Sequence, residues 1–282
     1  MNKVAIITGS TRGIGRKIAH KLANAGYNIT ITGKSTESTE NLPGNIFSVA
    51  KEIENYGVDS LPFKLDIQNE NQIKSCVETT FRKWGRVDVL VNNAGALWWK
   101  NVVDTPTVRY DLINNINSRG SFLMAKECIP HMLSANDGGH IINCSPPLTI
   151  DGSDQLAFHP SYSKGKVAYM ISKMGMTLGA MGIAEEYRGL GVAANTLWPL
   201  RPVESYALIN NNLGTKENWR KADIIADSVL EIVNEDSHTF TGRQLIDEVY
   251  LREKGVVDFD IYNCIPGSKP PMLNEIHHLW KS

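Results

Sequence analysis

No apolar run in the 282-residue chain approaches the ~18 residues that a bilayer-spanning helix needs, so no membrane insertion is expected. Charge of one sign is equally scarce. Lys+Arg 29 against Asp+Glu 30 leaves a formal net charge of −1, which argues against capture of nucleic acid or of an anionic surface. The four cysteines, Cys76, Cys128, Cys144 and Cys264, are too scattered for metal-ligand spacing or a disulfide framework and read as reduced thiols; no metal site is expected. Strand-like sequence begins within three residues of Met1, which leaves no room for a leader and makes a cytoplasmic location the expectation. Internal repeats and low-complexity tracts are missing as well. What is present is ordinary globular material, 42% hydrophobic and 21% charged, long enough for one large α/β domain or a domain of about 250 residues with an appendage.

The most informative segment is Thr8-Gly9-Ser10-Thr11-Arg12-Gly13-Ile14-Gly15, set directly after the apolar run Val4-Ala5-Ile6-Ile7. It opens an amphipathic helix through Ile18, Ala19, Leu22 and Ala23. Glycine permits a tight turn and close approach of backbone to a ligand, and the N–H groups of the following helix favour an anion. Strand-like and helix-like stretches then alternate. Strands are expected at 3–8, 28–32, 60–65, 87–91, 140–144, 191–197 and 244–247, and helices at 14–25, 45–56, 69–84, 107–134, 161–188 and 222–234. The helix at 107–134 is too long for one element and should be two joined near Asn117. This pattern builds a doubly wound parallel seven-stranded sheet with helices on both faces. The stretch 198–220, with Pro199 and Pro202, reads as a mobile loop with short helices lying over a cleft. The domain should end near 251, followed by an extension over 252–282 packed on the domain or on a neighbouring subunit.

The spacing G-x-x-x-G-x-G, together with Asn92-Asn93-Ala94-Gly95 after the fourth strand, resembles the short-chain dehydrogenase/reductase family. The resemblance implies a Rossmann fold and a nicotinamide dinucleotide held by Thr8, Gly9, Ser10, Arg12, Gly13, Ile14, Gly15, Asp66, Ile67, Asn93, Ala94, Gly95 and Pro199. Asp66 matches the position that accepts from the adenine amino group, although by itself it reads more readily as a turn or helix cap before Gln68–Glu70. An NAD site usually carries an acid after the second strand. Here Thr32-Gly33-Lys34-Ser35 has none until Glu37, and Lys34 with Arg12 can clamp a 2′-phosphate from two sides, so NADP is the expected cofactor in preference to NAD.

The same resemblance implies a tyrosine whose proton is made mobile by a lysine four residues later, on the same helical face. Two pairs qualify, Tyr162 with Lys166 and Tyr169 with Lys173. Tyr162 lies 17 residues after Ser145 and Tyr169 lies 24 after it; the shorter interval is nearer the family's usual one. Downstream, Asn195 and Pro199 follow Tyr169 by 26 and 30 residues, which fits the family's helix and strand without a gap. Extra length before Tyr169 falls in a loop, where it costs little. Gly165 also weakens a helix at the first pair. Tyr169 and Lys173 are therefore assigned as catalytic and as cofactor contacts. Ser145 would hydrogen-bond the substrate oxygen, and Asn117, in register with Gly120, would interrupt its helix and hold a water that serves the lysine.

Longer stretches, including Asn143–Leu148, Gly182–Glu186 and Trp219–Asp227, resemble a hydroxysteroid dehydrogenase-like branch of the family. Members there often carry a C-terminal sterol-carrier-like domain, which this sequence does not reach. The residues expected to face substrate, Leu97, Trp98, Trp99, Leu148, Ile150 and parts of 200–214, are largely apolar and suggest a lipophilic alcohol or carbonyl substrate, although the two tryptophans read equally as interface or core. The helices at 107–134 and 161–188 match those that pair subunits in the family, implying a homodimer or homotetramer. The competing reading is a noncatalytic dinucleotide-binding sensor or scaffold.

Overall fold

Among the described residues of the computed structural model, namely 1–37, 43–135, 138–148, 163–273 and 275, the apolar runs form seven parallel strands. They are β1 (Val4–Ile7), β2 (Asn28–Gly33), β3 (Ser60–Lys64), β4 (Val89–Asn92), β5 (Gly139–Asn143), β6 (Val192–Trp198) and β7 (Gln244–Ile246). Their order is β3-β2-β1-β4-β5-β6-β7. Ile6 stands beside Thr30 on one side and Leu90 on the other. The sheet therefore grows away from β1 in both directions, and the reversal leaves a crevice at the carboxyl ends of β1 and β4. This is the doubly wound Rossmann arrangement expected from the sequence.

Alternation along each strand sends neighbours into opposite cores. Ala5, Ile7, Val89, Val91 and Ile142 join one apolar cluster, with Leu22 of α1 (Gly13–Asn24), Ile53 of α2 (Ile46–Glu54) and Val229 of α8 (Asp223–Val233). Ile6, Leu90 and Ile141 join the other, with Val77 of α3 (Glu70–Trp84), Met124 of α5 (Gly120–Leu133) and Ile183 of α6 (Val167–Glu186). Each fully buried aliphatic side chain contributes about 1.5–3 kcal/mol of transfer free energy. Caps fix helix starts. Asn45 Oδ1 accepts from the Phe47 and Ser48 N–H groups, and Ser48 Oγ accepts in return from Asn45 N–H, so the last residues before α2 are tied down.

The long helix is broken where expected. α4 (Thr107–Asn114) passes through a π-turn, Asn115–Arg119, into α5, with Asn117 inside the irregular turn. α6 begins at Val167 rather than 161; Gly165 adopts a positive φ of 71°, where a helix cannot run through. By length and composition α6 is apolar enough to cross a membrane, although Lys173 and other polar residues divide its apolar sequence. It lies against β5 and β6 as a helix of the layered core. One helix went unread, α9 (Asp247–Glu253), too short for a periodic signal, whereas α7 (Tyr206–Asn210) is a short helix within the 198–220 stretch. Beyond α9, Phe259 and Tyr262 are buried in the first cluster.

Candidate active site

A cavity of about 560 Å³ opens at the carboxyl ends of the strands. Its floor is the glycine turn. Gly9 has φ +69°, and a Cβ there would lie 3.1 Å from Ala94 Cα; a Cβ on Gly15 would lie 2.5 Å from both Asn93 Nδ2 and Gly9 O. These two positions leave no space for a side chain because the β4 loop presses against the turn from below. Asn93 Nδ2 donates to Thr8 O at 2.9 Å and Gly9 O at 3.2 Å, while Thr8 Oγ1 accepts from the N–H groups of Asn93 and Ala94. Ser10 ties the turn to β2: its Oγ donates to Ile7 O and accepts from Thr32 N–H, and it is fully buried. Gly9, Arg12, Gly13 and Ile14 line the cavity with Asn93, Ala94 and Gly95, whereas Ser10 and Gly15 support it from behind.

At the β2–β3 end, the two basic residues are spoken for by different partners. Lys34 Nζ meets Asp66 Oδ2 at 2.9 Å, and Arg12 Nη2 donates to Ser35 Oγ at 2.6 Å. Parallel register puts Gly33 beside Lys64, which brings the residues after both strands together. Burial raises the Asp66 carboxyl, but the Lys34 and Gln68 hydrogen bonds outweigh it and hold it below the usual carboxylate range. Asp66 Oδ1 also accepts from Gln68 N–H, the turn role that its sequence context allowed. Arg12 Nη1 is buried without a hydrogen-bond partner among the described residues, an unspent donor at the cavity wall. A turn cleared of Cβ atoms, a helix N-terminus and this guanidinium fit a phosphorylated dinucleotide.

The opposite end is built by α6. Tyr169 and Lys173 both line the cavity, and Lys173 Nζ lies 6.0 Å from the Tyr169 ring centroid and 5.8 Å from that of Trp198. Lys173 donates to Cys144 O at 2.8 Å, and burial pushes its ammonium down to about 8, against the opposing pull of Cys144. A Cβ on Gly95 would fall 3.5 Å from Lys173 Nζ and 3.4 Å from Asn117 Oδ1, so this glycine keeps three elements in contact. Asn117 is fully buried; its Oδ1 accepts from Ala96 N–H, and its Nδ2 donates to Ser172 Oγ and Ala96 O. It braces the β4 loop against α6 beside Lys173, behind the cavity wall. Trp99 lines the cavity with its ring edge-on to Tyr169, centroids 6.4 Å apart.

Ser145 requires a correction. It is fully buried, its Oγ lies 2.8 Å from Thr177 Oγ1 on α6, and it does not line the cavity. Alternation past the end of β5 gives the cavity side to Cys144, so the Ser145 hydroxyl binds a helix where a contact with substrate oxygen was expected. Of the rival pair, Tyr162 lies outside the described residues, as does Ile150. Lys166 precedes α6 and is buried with Nζ 4.7 Å from the Trp99 ring centroid, where burial pushes it down to about 7. Trp98 stacks on Arg109, and Leu148 N–H donates to Gln244, away from the cavity. Ile67, Leu97 and Pro199 line the cavity as expected positions, and so does Tyr206, within the 200–214 stretch expected to face substrate; Ser35, Ile116, Trp198 and Leu273 line it without having been foreseen. Ser35 was legible beside Lys34; the others carry no local signal.

A doubly wound parallel sheet with a glycine-walled cavity at its switch point defines a nucleotide-binding α/β protein. The family profile described as short chain dehydrogenase matches residues 3–201. Over 262 residues, 93% of this chain, the sequence is 43% identical to hydroxysteroid dehydrogenase-like protein 2 of Mus musculus, covering 51% of that protein. The chain thus spans about half the length of the relative it matches. A short chain dehydrogenase from Mycobacterium thermoresistibile superposes with a TM-score of 0.86 at 38% identity, covering 96% of this chain and 93% of the other. A metagenomic short-chain oxidoreductase in complex with NADP gives 0.67 at 26% identity, covering 86% and 96%. The chain belongs to the short-chain dehydrogenase family.

Proposed function

We propose that this chain is an NADP(H)-dependent oxidoreductase acting between a lipophilic alcohol and the matching carbonyl compound. The observation that carries the reading is the opening of Tyr169 and Lys173, one turn apart on α6, into the same cavity as the Gly9–Gly15 turn. The bound dinucleotide supplies or accepts the hydride. Tyr169 does the proton work: in reduction its hydroxyl gives a proton to the carbonyl oxygen, and in oxidation its oxygen takes the proton of the alcohol. A protonated Lys173 favours the phenolate and so eases both directions. The Cys144 carbonyl holds Lys173 in place, Trp99 offers apolar surface beside Tyr169, and Leu97 adds to the apolar lining of the cavity. Arg12, Lys34 and Ser35 are the residues to receive a 2′-phosphate, which supports NADP over NAD; Lys34 would exchange Asp66 for it. Ile67, Asn93, Ala94 and Pro199 shape the rest of the dinucleotide site.

Phe122 on α5 and Ile171 and Leu178 on α6 are exposed by 60%, 47% and 64%, an apolar face suited to pairing with a second copy. The four free thiols suit a reducing compartment such as the cytoplasm. Tyr169→Phe is expected to lower turnover of aliphatic aldehydes with NADPH by roughly a hundred- to ten-thousandfold. NADP+ binding, followed by protein fluorescence and tighter than NAD+ binding, should persist in that variant. Full activity in Tyr169→Phe, with loss in Tyr162→Phe, would reassign the proton donor to the other pair.

A further inference from the structure

Part of the cavity wall comes from residues that the family profile does not reach. Leu273 lines the cavity, and its N–H donates to Leu200 O at 2.9 Å, one residue past Pro199 and two past the Trp198 ring that faces Lys173. Leu273 therefore stands at the end where Tyr169 acts. Its approach is fixed from behind by one carboxylate. Glu248 Oε2 accepts from Arg201 Nε and from Arg220 Nη2, each at 3.1 Å. Arg201 donates onward to Pro270 O, and Arg220 to Phe259 O and Asn263 Oδ1. Asn263 in turn donates to Ser268 O at 2.8 Å. The backbone of Arg220 bridges Val203 on one side and Asn263 on the other.

Three segments separated in sequence, at 199–205, 219–221 and 259–273, are thus held around a single Glu248. Arg220 and Glu248 are 5% and 4% exposed. Burying such charges costs several kcal/mol per ion unless their hydrogen bonds are well made, and apolar replacements often stabilise as well or better. A network of this kind is accounted for by the geometry that it fixes, and what it fixes is the position of Leu273 and of the loop after Pro199.

We propose that residues 259–273 form a clasp completing the substrate end of the cavity, with Leu273 a specificity-determining wall for an extended apolar chain and Glu248 the positioning residue that holds it through Arg201 and Arg220. The proposal rests on the reading of this cavity as a hydride-transfer site. Leu273→Trp shortens the space beside Pro199, and Arg201→Met cuts the link to Pro270 while leaving the Arg220–Glu248 pair in place. Both are assayed with NADPH and butanal, octanal or dodecanal.

The expected result is a fall of about tenfold in the ratio of kcat/KM for dodecanal over butanal in Leu273→Trp, the size of effect that pocket occlusion produces. The fall should be carried by KM. Arg201→Met should move the same ratio, where a merely structural defect lowers kcat for every aldehyde alike. An unchanged ratio in both variants overturns the clasp. If the wild-type protein reduces none of the three, the oxidoreductase reading fails separately, and the clasp is judged by displacement of anilinonaphthalene sulfonate from NADP+-saturated protein by octanol. Weaker displacement in Leu273→Trp supports it; equal displacement in variant and wild type overturns it.

Discussion

Asp247 sits where β7 runs into α9, fully enclosed, its Oδ1 accepting from the N–H groups of Leu200 and Glu248 and its Oδ2 unpartnered among the described residues. Burial pushes its carboxyl up to about 7, more than the two N–H bonds pull it down. A folded value above the unfolded one of ~3.9 means that the folded state keeps a proton that the unfolded chain has lost. Stability from this group therefore falls as pH rises from about 4 through about 7. Asp247→Asn keeps an acceptor at Oδ1 and removes the titration. Its melting temperature should exceed that of the wild type by a margin that widens from acid to mildly alkaline pH, read by circular dichroism; a constant margin would remove Asp247 from the pH dependence. At the scale of single residues the sequence was uneven as a guide. The glycine turn was legible because strand, turn and helix are consecutive. The Lys34–Asp66 pair was not, because it depends on β2 and β3 lying in parallel register. Ser145 misled because residue type does not say which way a side chain points after a strand ends.

At the scale of elements, the start of α1 tolerates little change. A Cβ on Gly15 meets the Gly9 carbonyl, which is backbone and cannot swing aside. Gly15→Ala should therefore displace the turn and weaken NADP+ binding by about tenfold or more, measured by fluorescence titration, with global stability lowered by about 1 kcal/mol or more from overpacking. Retained affinity would show that the turn is not the phosphate cradle. β1 and β4 were readable because the runs Val4–Ile7 and Val89–Val91 are apolar and buried on both faces, and the break near Asn117 was readable from the length of its helix. α9 and the chain after it were not. Phe259 and Tyr262 enter the core by packing against α8 and α9, which no local periodicity announces.

For the molecule as a whole, the apolar face of α5 and α6 sets an expected assembly. Ile171 and Leu178 are two turns apart on one side of α6, followed one turn later by Gly182, where even a Cβ would meet nothing within 4 Å. Sedimentation velocity should give a dimer or tetramer, and Leu178→Glu should shift it towards the monomer; an unshifted distribution would place the contact elsewhere. The central position of β1 has a further consequence, in time rather than in space. Its neighbours are β2 and β4, with Ile6 beside Thr30 and Leu90. Asn93, which grips Thr8 and Gly9, follows them by some eighty-five positions, as the 85-residue separation of its bond to Thr8 records. During synthesis the glycine turn emerges well before β4 and must wait, one side of its strand bare, until β4 has followed. Leu273 comes later still. Non-local pairing of this kind slows folding, and the turn acquires its working shape long after its own residues have been made.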